Sequence, residues 1–198
     1  MTSDDNQTLA PASTGIAGLD DVLVGGLTPE RLYLIEGSPG TGKTTLGLGF
    51  LLAGAKFGET GLYVTLSETE QELLASAQTH GWSLDPISIY EMVPDAGFDD
   101  SQEQTLLHPS EVELGETVRN IMAKVDELKP RRLVLDSLSE LRLLAQSPIR
   151  YRRQILALKH FFSKRQCTVL VLDDKSSDTS DIQLHLSLIH ISEPTRQE

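Results

Sequence analysis

Residues Gly37-Ser38-Pro39-Gly40-Thr41-Gly42-Lys43-Thr44-Thr45 constrain this chain more than any other stretch. Glycine, four residues, glycine, lysine and threonine is the phosphate-binding loop pattern. Residues 31–36 before it are apolar and β-prone, and residues 45–53 after it repeat large apolar side chains at helical spacing. The loop needs that context of entering strand and leaving helix. Its glycines let backbone N–H groups converge on an anion, and the helix points its positive end at the same place. The expected roles follow: amides from Gly40 to Lys43 cradle a β-phosphate, Lys43 neutralises the β and γ phosphates, and the Thr44 hydroxyl holds Mg2+. The chain is therefore expected to bind a nucleoside triphosphate.

The rest of the chain alternates strand and helix signals. Residues 61–66 read as a second strand, and Thr69 with Glu72 has capping-box spacing for a helix over 70–80 with Leu73, Leu74 and Ala77 on one face. Residues 87–92 alternate as a third strand, and 93–109 form a long acidic loop. Ser110 with Glu113 is spaced as a second capping box, opening a helix to about Leu128 that carries Val118, Ile121, Met122 and Val125. Residues 132–136 read as a buried fourth strand ending in Asp136, with Ser137 and Glu140 spaced to cap the next turn. Ser147-Pro148 starts a helix to about Arg165, with Ile155, Leu158, Phe161 and Phe162 inward and Tyr151, Arg152, Arg153, Lys159 and Lys164 mostly outward. Residues 168–172 form a fifth buried strand that closes on Asp173-Asp174. This order predicts one α/β domain, a mostly parallel sheet with helices on both faces and ligands at the carboxyl ends of the strands.

Length and composition agree with one domain, since 198 residues hold one sizeable core and hardly two. No apolar signal-like start and no run of eighteen apolar residues is present, and Cys167 is the single cysteine, so a reducing cytoplasm is the expected location. Cys167 reads as a small core residue. The net charge of -12 argues against non-specific nucleic-acid binding. The charge is uneven, however: residues 1–118 carry 3 basic and 19 acidic side chains, whereas 119–165 carry 12 and 4. Solvated helix faces account for this pattern, and so does a basic side of one subunit meeting an acidic side of the next.

Residues 1–12 are small, polar and acidic and read as a mobile tail. Then Thr14-Gly15-Ile16-Ala17-Gly18-Leu19-Asp20, the Gly25-Gly26-Leu27 turn and the phosphate loop together resemble the opening of KaiC-like ATPases of the RecA superfamily. The resemblance runs over about residues 13–185. It includes Gly81-Trp82-Ser83-Leu84-Asp85, Asp136-Ser137-Leu138-Ser139-Glu140-Leu141 and Ser147-Pro148-Ile149-Arg150-Tyr151-Arg152-Arg153. It implies a three-layer α/β/α RecA-like fold that binds ATP with Mg2+ and assembles into a ring, a hexamer by resemblance, with ATP held between subunits. Signalling proteins are the implied partners.

Two strand ends offer a carboxylate to organise Mg2+, Asp136 and Asp173, and spacing leaves both open. The resemblance favours Asp136, with Asp-Ser at a strand end before a capped helix. Asp173 then reads as a solvated loop carboxylate or a sensor near the γ-phosphate. Hydrolysis also needs a carboxylate on the attacking water. Spacing makes Glu68 either that group or an acid in the first turn of a helix. KaiC-like proteins typically carry Glu-Glu here; Glu68 falls on the second, and Ser67 replaces the first. Slow turnover, or nucleotide binding without useful turnover, is the implied consequence. A DNA-dependent recombinase of the same superfamily is the other reading. Its DNA loops would follow the fourth and fifth strands, where Arg142, Arg150, Arg152 and Arg153 are basic but the second loop is acidic.

Residues 186–196 resemble one reading frame of a transposase-end adapter used to build sequencing libraries, so residues 186–198 are expected not to be native. Ile182, Leu184, Leu186 and Leu188 nonetheless alternate as a strand would. A native sequence ending near His185 would lack the last strands of the domain and the basic finger expected to reach a neighbour's γ-phosphate.

Overall fold

A computed structural model of the chain describes residues 9–92, 109–145, 147–175 and 189–192. A short helix α1 (Ala17–Val22) precedes strand β1 (Leu32–Gly37) and helix α2 (Lys43–Ala55). Then come β2 (Gly61–Thr65), α3 (Glu70–Thr79), β3 (Ile87–Glu91), α4 (Pro109–Leu128), β4 (Arg132–Asp136), α5 (Leu138–Ala145), α6 (Pro148–Phe162), β5 (Thr168–Asp174) and β6 (Ile189–Ser192). The strands form one sheet in the order β3-β2-β4-β5-β1-β6, and every neighbouring pair is parallel. The fold is the α/β, three-layer RecA-like arrangement.

Both sheet faces are covered, so the central strands are apolar at nearly every position rather than alternating with polar residues. β2 and β4 are buried along their whole length. The period of two still decides which helix each residue meets. Leu133, Leu135, Val169 and Val171 pack with Val118, Ile121, Leu141 and Ile155 of α4 to α6. Tyr63, Val134, Leu170 and Leu172 pack with Leu48, Phe50, Leu73 and Ala77 of α2 and α3. α2 lies close against the sheet at Gly47, where an added Cβ would stand 3.1 Å from Val134.

The capping box of α3 forms: Thr69 Oγ1 accepts from the Glu72 backbone N–H, and Glu72 accepts from the Thr69 N–H at 2.8 Å. The helix buries Leu73 and Ala77 but leaves Leu74 partly exposed, because Leu74 lies at the margin of the stripe. α4 begins at Pro109, so Ser110 lies inside its first turn instead of capping it; proline, with no N–H to satisfy, suits that start. α6 has Ser147 at its N-cap and Pro148 at its first position. Tyr151 is buried, contrary to its outward placement, and Phe161 is only partly buried. Tyr151 sits four residues before Ile155 on the inward stripe, and Arg142 lies over its ring.

The Thr14-to-Asp20 motif closes on itself. Asp20 accepts from Ser13 Oγ, the Thr14 N–H and Thr14 Oγ1 at 2.6, 2.7 and 2.7 Å. Burial raises the Asp20 pKa, but these hydrogen bonds together outweigh it and leave the carboxyl below its ordinary value. Ala12 is buried and pairs with Leu27, which fixes the N-terminal approach to the body. The acidic loop over 93–108 and the alternation over 182–188 lie outside the described residues. β6 pairs with the open side of β1 through Tyr33 to Glu36.

Candidate functional site

The carboxyl ends of four parallel strands meet at one edge of the sheet. β1 ends at Gly37, and the loop to α2 turns back through Gly40 and Gly42, whose φ values of 80° and 90° favour glycine. Gly42 is the N-cap of α2, so Lys43 and Thr44 stand on its first turn. Glu68 follows β2, Asp136 ends β4, and Asp174 ends β5. These residues line a cleft of about 430 Å³ together with Ser67 and Glu140. The structure thus brings Gly40, Gly42, Lys43, Thr44, Thr45, Glu68 and Asp136 to a single place, with Pro39 at its rim. Gly37, Ser38 and Thr41 complete the loop: Thr41 donates to the Ser38 carbonyl, and the Gly37 and Ser38 carbonyls face Lys43.

Lys43 folds back on its own loop. Its ammonium donates to the carbonyls of Gly37 and Ser38 at 2.8 and 3.1 Å and pairs with Asp174 Oδ1 at 2.9 Å. Asp136 is buried, and its Oδ2 accepts from Tyr63 at 2.6 Å and from Thr44 at 3.4 Å. Burial pushes the Asp136 carboxyl above its ordinary pKa; Tyr63, Thr44 and Lys43 oppose that, while Asp174 adds to it. Burial also raises the Tyr63 phenol well above its ordinary value, and Asp136 adds to the shift. The Asp136–Ser137 peptide is cis.

Glu68 stands one residue ahead of the α3 N-cap, so it is not a first-turn acid. Thr65 fixes its backbone, donating to the Glu68 carbonyl at 2.6 Å and accepting from the Glu68 N–H at 3.0 Å. Its pKa is raised by burial first, then by the negative fields of Asp136 and Glu72. A half-buried carboxylate with a raised pKa is a better proton acceptor than an ordinary surface glutamate.

Asp173 is not a solvated loop residue. It is fully buried, accepting from Ser139 Oγ at 2.6 Å and Arg142 at 2.6 Å. Burial raises its pKa, and Ser139 and Arg142 oppose the rise. The strand period explains this: Asp173 shares the face of Val171, toward α5, while Asp174 shares the face of Leu172, toward α2 and Lys43. Sequence reasoning passed over Asp174 and Tyr63. The signal for Tyr63 was a phenol hydroxyl in the middle of a buried strand, which needs a buried partner.

Among the described residues, no group of three or more His, Cys, Asp or Glu side chains is arranged to chelate a metal unaided. Asp136 and Glu68 nevertheless place negative charge around Thr44, with Lys43, paired to Asp174, as the cation in the cleft. That donor set fits a hard divalent cation that arrives with phosphate oxygens as its other ligands.

A parallel sheet with a glycine-rich phosphate loop after β1 and a carboxylate at the end of β4 defines a P-loop nucleotide-binding ATPase domain of the RecA superfamily. The family model for "ATPase: KaiC" matches residues 12–189. A UPF0273 protein of Pyrococcus horikoshii is 31% identical over 170 residues, covering 82% of this chain and 68% of that protein. A UPF0273 protein of Thermotoga maritima is 29% identical over 169 residues, covering 82% and 69%. The circadian clock oscillator protein KaiC of Parasynechococcus marenigrum is 34% identical over 152 residues, covering 73% of this chain but 28% of that protein. The chain belongs to the KaiC ATPase family.

Proposed function

We propose that the cleft binds Mg·ATP and hydrolyses it slowly, as the ATPase domain of a regulatory or signalling protein. The observation that supports this most is the convergence of Lys43 and Thr44 with Asp136 and Glu68 from three separate strand ends. Lys43 leaves Asp174 for the β and γ phosphates, and the amides of Gly40 to Lys43 hold the β-phosphate. Thr44 and Asp136 would hold the hydration shell of Mg2+, which would supply positive charge against the phosphates. Glu68 orients the attacking water and accepts its proton, a role its raised pKa suits. Residues 119–165, rich in Lys and Arg, suit a ring in which they face the acidic side of a neighbouring copy. A cytoplasmic location goes with this reading; among the described residues no helix is long and apolar enough to cross a membrane.

Ser67, exposed at the cleft where the resemblance expects a glutamate, favours a second reading: a nucleotide-binding module with little turnover. The recombinase reading is weaker, since Arg142 is committed to Asp173 and Tyr151. Steady-state phosphate release with and without single-stranded DNA separates the three, with Lys43→Ala and Glu68→Gln beside the wild type. Slow release that ignores DNA and is lost in both variants supports the regulatory ATPase. Strong stimulation by DNA overturns it for the recombinase, and tight binding with no release above Lys43→Ala leaves the binding module.

A further inference from the structure

We propose that Tyr63 is a positioning residue for metal capture, acting through Asp136. The inference rests on the Mg·ATP reading of the cleft. Tyr63 is fully buried on β2, in a wall otherwise built from Tyr33, Ile35, Leu48, Phe50 and Val134. Its ring needs no hydroxyl to pack there, yet the hydroxyl donates to Asp136 Oδ2 at 2.6 Å, inside the range of charge-assisted O–H···O hydrogen bonds.

The register explains how the two meet. Thr65 is the Cα partner of Asp136 across β2 and β4, and Tyr63 lies two residues earlier on the same face. The length of the phenol spans that offset. Thr44 Oγ1 approaches the same Oδ2, but at a longer 3.4 Å. Both donors therefore bear on one oxygen, and Oδ1 accepts no hydrogen bond from a side chain among the described residues. Tyr63 thus fixes the rotation of the Asp136 carboxylate and reserves Oδ1 for the hydration shell of a divalent cation. Without the hydroxyl, the carboxylate keeps its charge but loses its set orientation.

Outer-shell hydrogen bonds of this kind typically change metal affinity by about 10 to 100-fold when removed. The test is equilibrium dialysis of radiolabelled ATP with the full chain, titrated with Mg2+ and repeated in EDTA, for wild type, Tyr63→Phe, Asp136→Asn and the double variant. Tyr63→Phe keeps the ring, and a thermal melt of each variant confirms a folded chain. The expected result is a half-saturating Mg2+ concentration raised about 10-fold in Tyr63→Phe, with ATP binding in EDTA unchanged. The double variant should show no further loss beyond Asp136→Asn, because Tyr63 acts only through that carboxylate. An unchanged Mg2+ requirement, or an equal loss of ATP binding with and without Mg2+, overturns the proposal and leaves the hydroxyl a structural role. Failure of the wild type to show any Mg2+-dependent ATP binding overturns the reading of the cleft itself, a separate outcome.

Discussion

Asp174→Asn should tighten nucleotide binding, an unusual outcome for a change inside a binding cleft. Lys43 Nζ lies 2.9 Å from Asp174 Oδ1, with the lysine side chain 13% exposed and the aspartate 50% exposed. Exposed ion pairs are worth about 0.2 to 1 kcal/mol, and the shielding of Lys43 puts this one near the upper end. Lys43 gives up that pairing when it moves to phosphate, so the pair stabilises only the nucleotide-free state. The carboxylate left behind also repels the phosphates, which acts in the same direction. Removing about 1 kcal/mol of competition lowers the apparent Kd for Mg·ADP by about 5-fold. The same change lowers the melting temperature of the nucleotide-free protein by about 2 to 4 °C. Calorimetric titration with Mg·ADP avoids turnover. Repeating it at high salt should shrink the difference, since the pair is half open to solvent. Weaker binding by Asp174→Asn at low salt would refute the reasoning, because Asp174 would then be holding Lys43 in its working position.

Other predictions follow from groups around the same framework. Arg132 is buried at the opposite edge of the sheet, pairing with Glu59 and donating to the Ser13 and Phe50 carbonyls. Arg132→Met should cost about 3 kcal/mol, since it strands partners from three segments, and lower the midpoint of a thermal melt by about 6 to 12 °C. Glu68 has a raised folded-state pKa, so its contribution to stability is present below the unfolded carboxylate value and is lost as pH rises through the folded one. Glu68→Gln should therefore melt higher than wild type at pH 7 to 8 without nucleotide, the gain fading as pH falls toward about 4. Cys167 is buried, and its thiol is pushed up to about 12. Its labelling by a disulfide reagent at pH 8 should follow the rate of unfolding, not the concentration of reagent.

The layout of the site was legible because its parts lie at strand ends, where a motif and its flanking periodicity locate each other. Gly37 to Thr45 needed no tertiary information, whereas the end of an apolar strand offered Asp136 and Asp173 alike and only the resemblance favoured Asp136. What escaped depended on side-chain direction. Asp173 and Asp174 are adjacent in sequence, but strand geometry sends one to Arg142 and the other to Lys43. Tyr151 stands among arginines one turn before Ile155, so the buried stripe of α6 starts a turn ahead of its run of large apolar residues. Tyr63 looked like any aromatic residue in a buried strand until its register against β4 was known. The capping box of α3 was local and legible, whereas Pro109 took over the start of α4 from Ser110.

The most direct measurement is equilibrium binding of ATP in the presence of Mg2+ by the wild-type chain and by Lys43→Ala. One saturable ATP site per chain, weakened about 10-fold or more in Lys43→Ala, is the predicted result. Equal binding by the two proteins, or no binding by the wild type, would contradict the account.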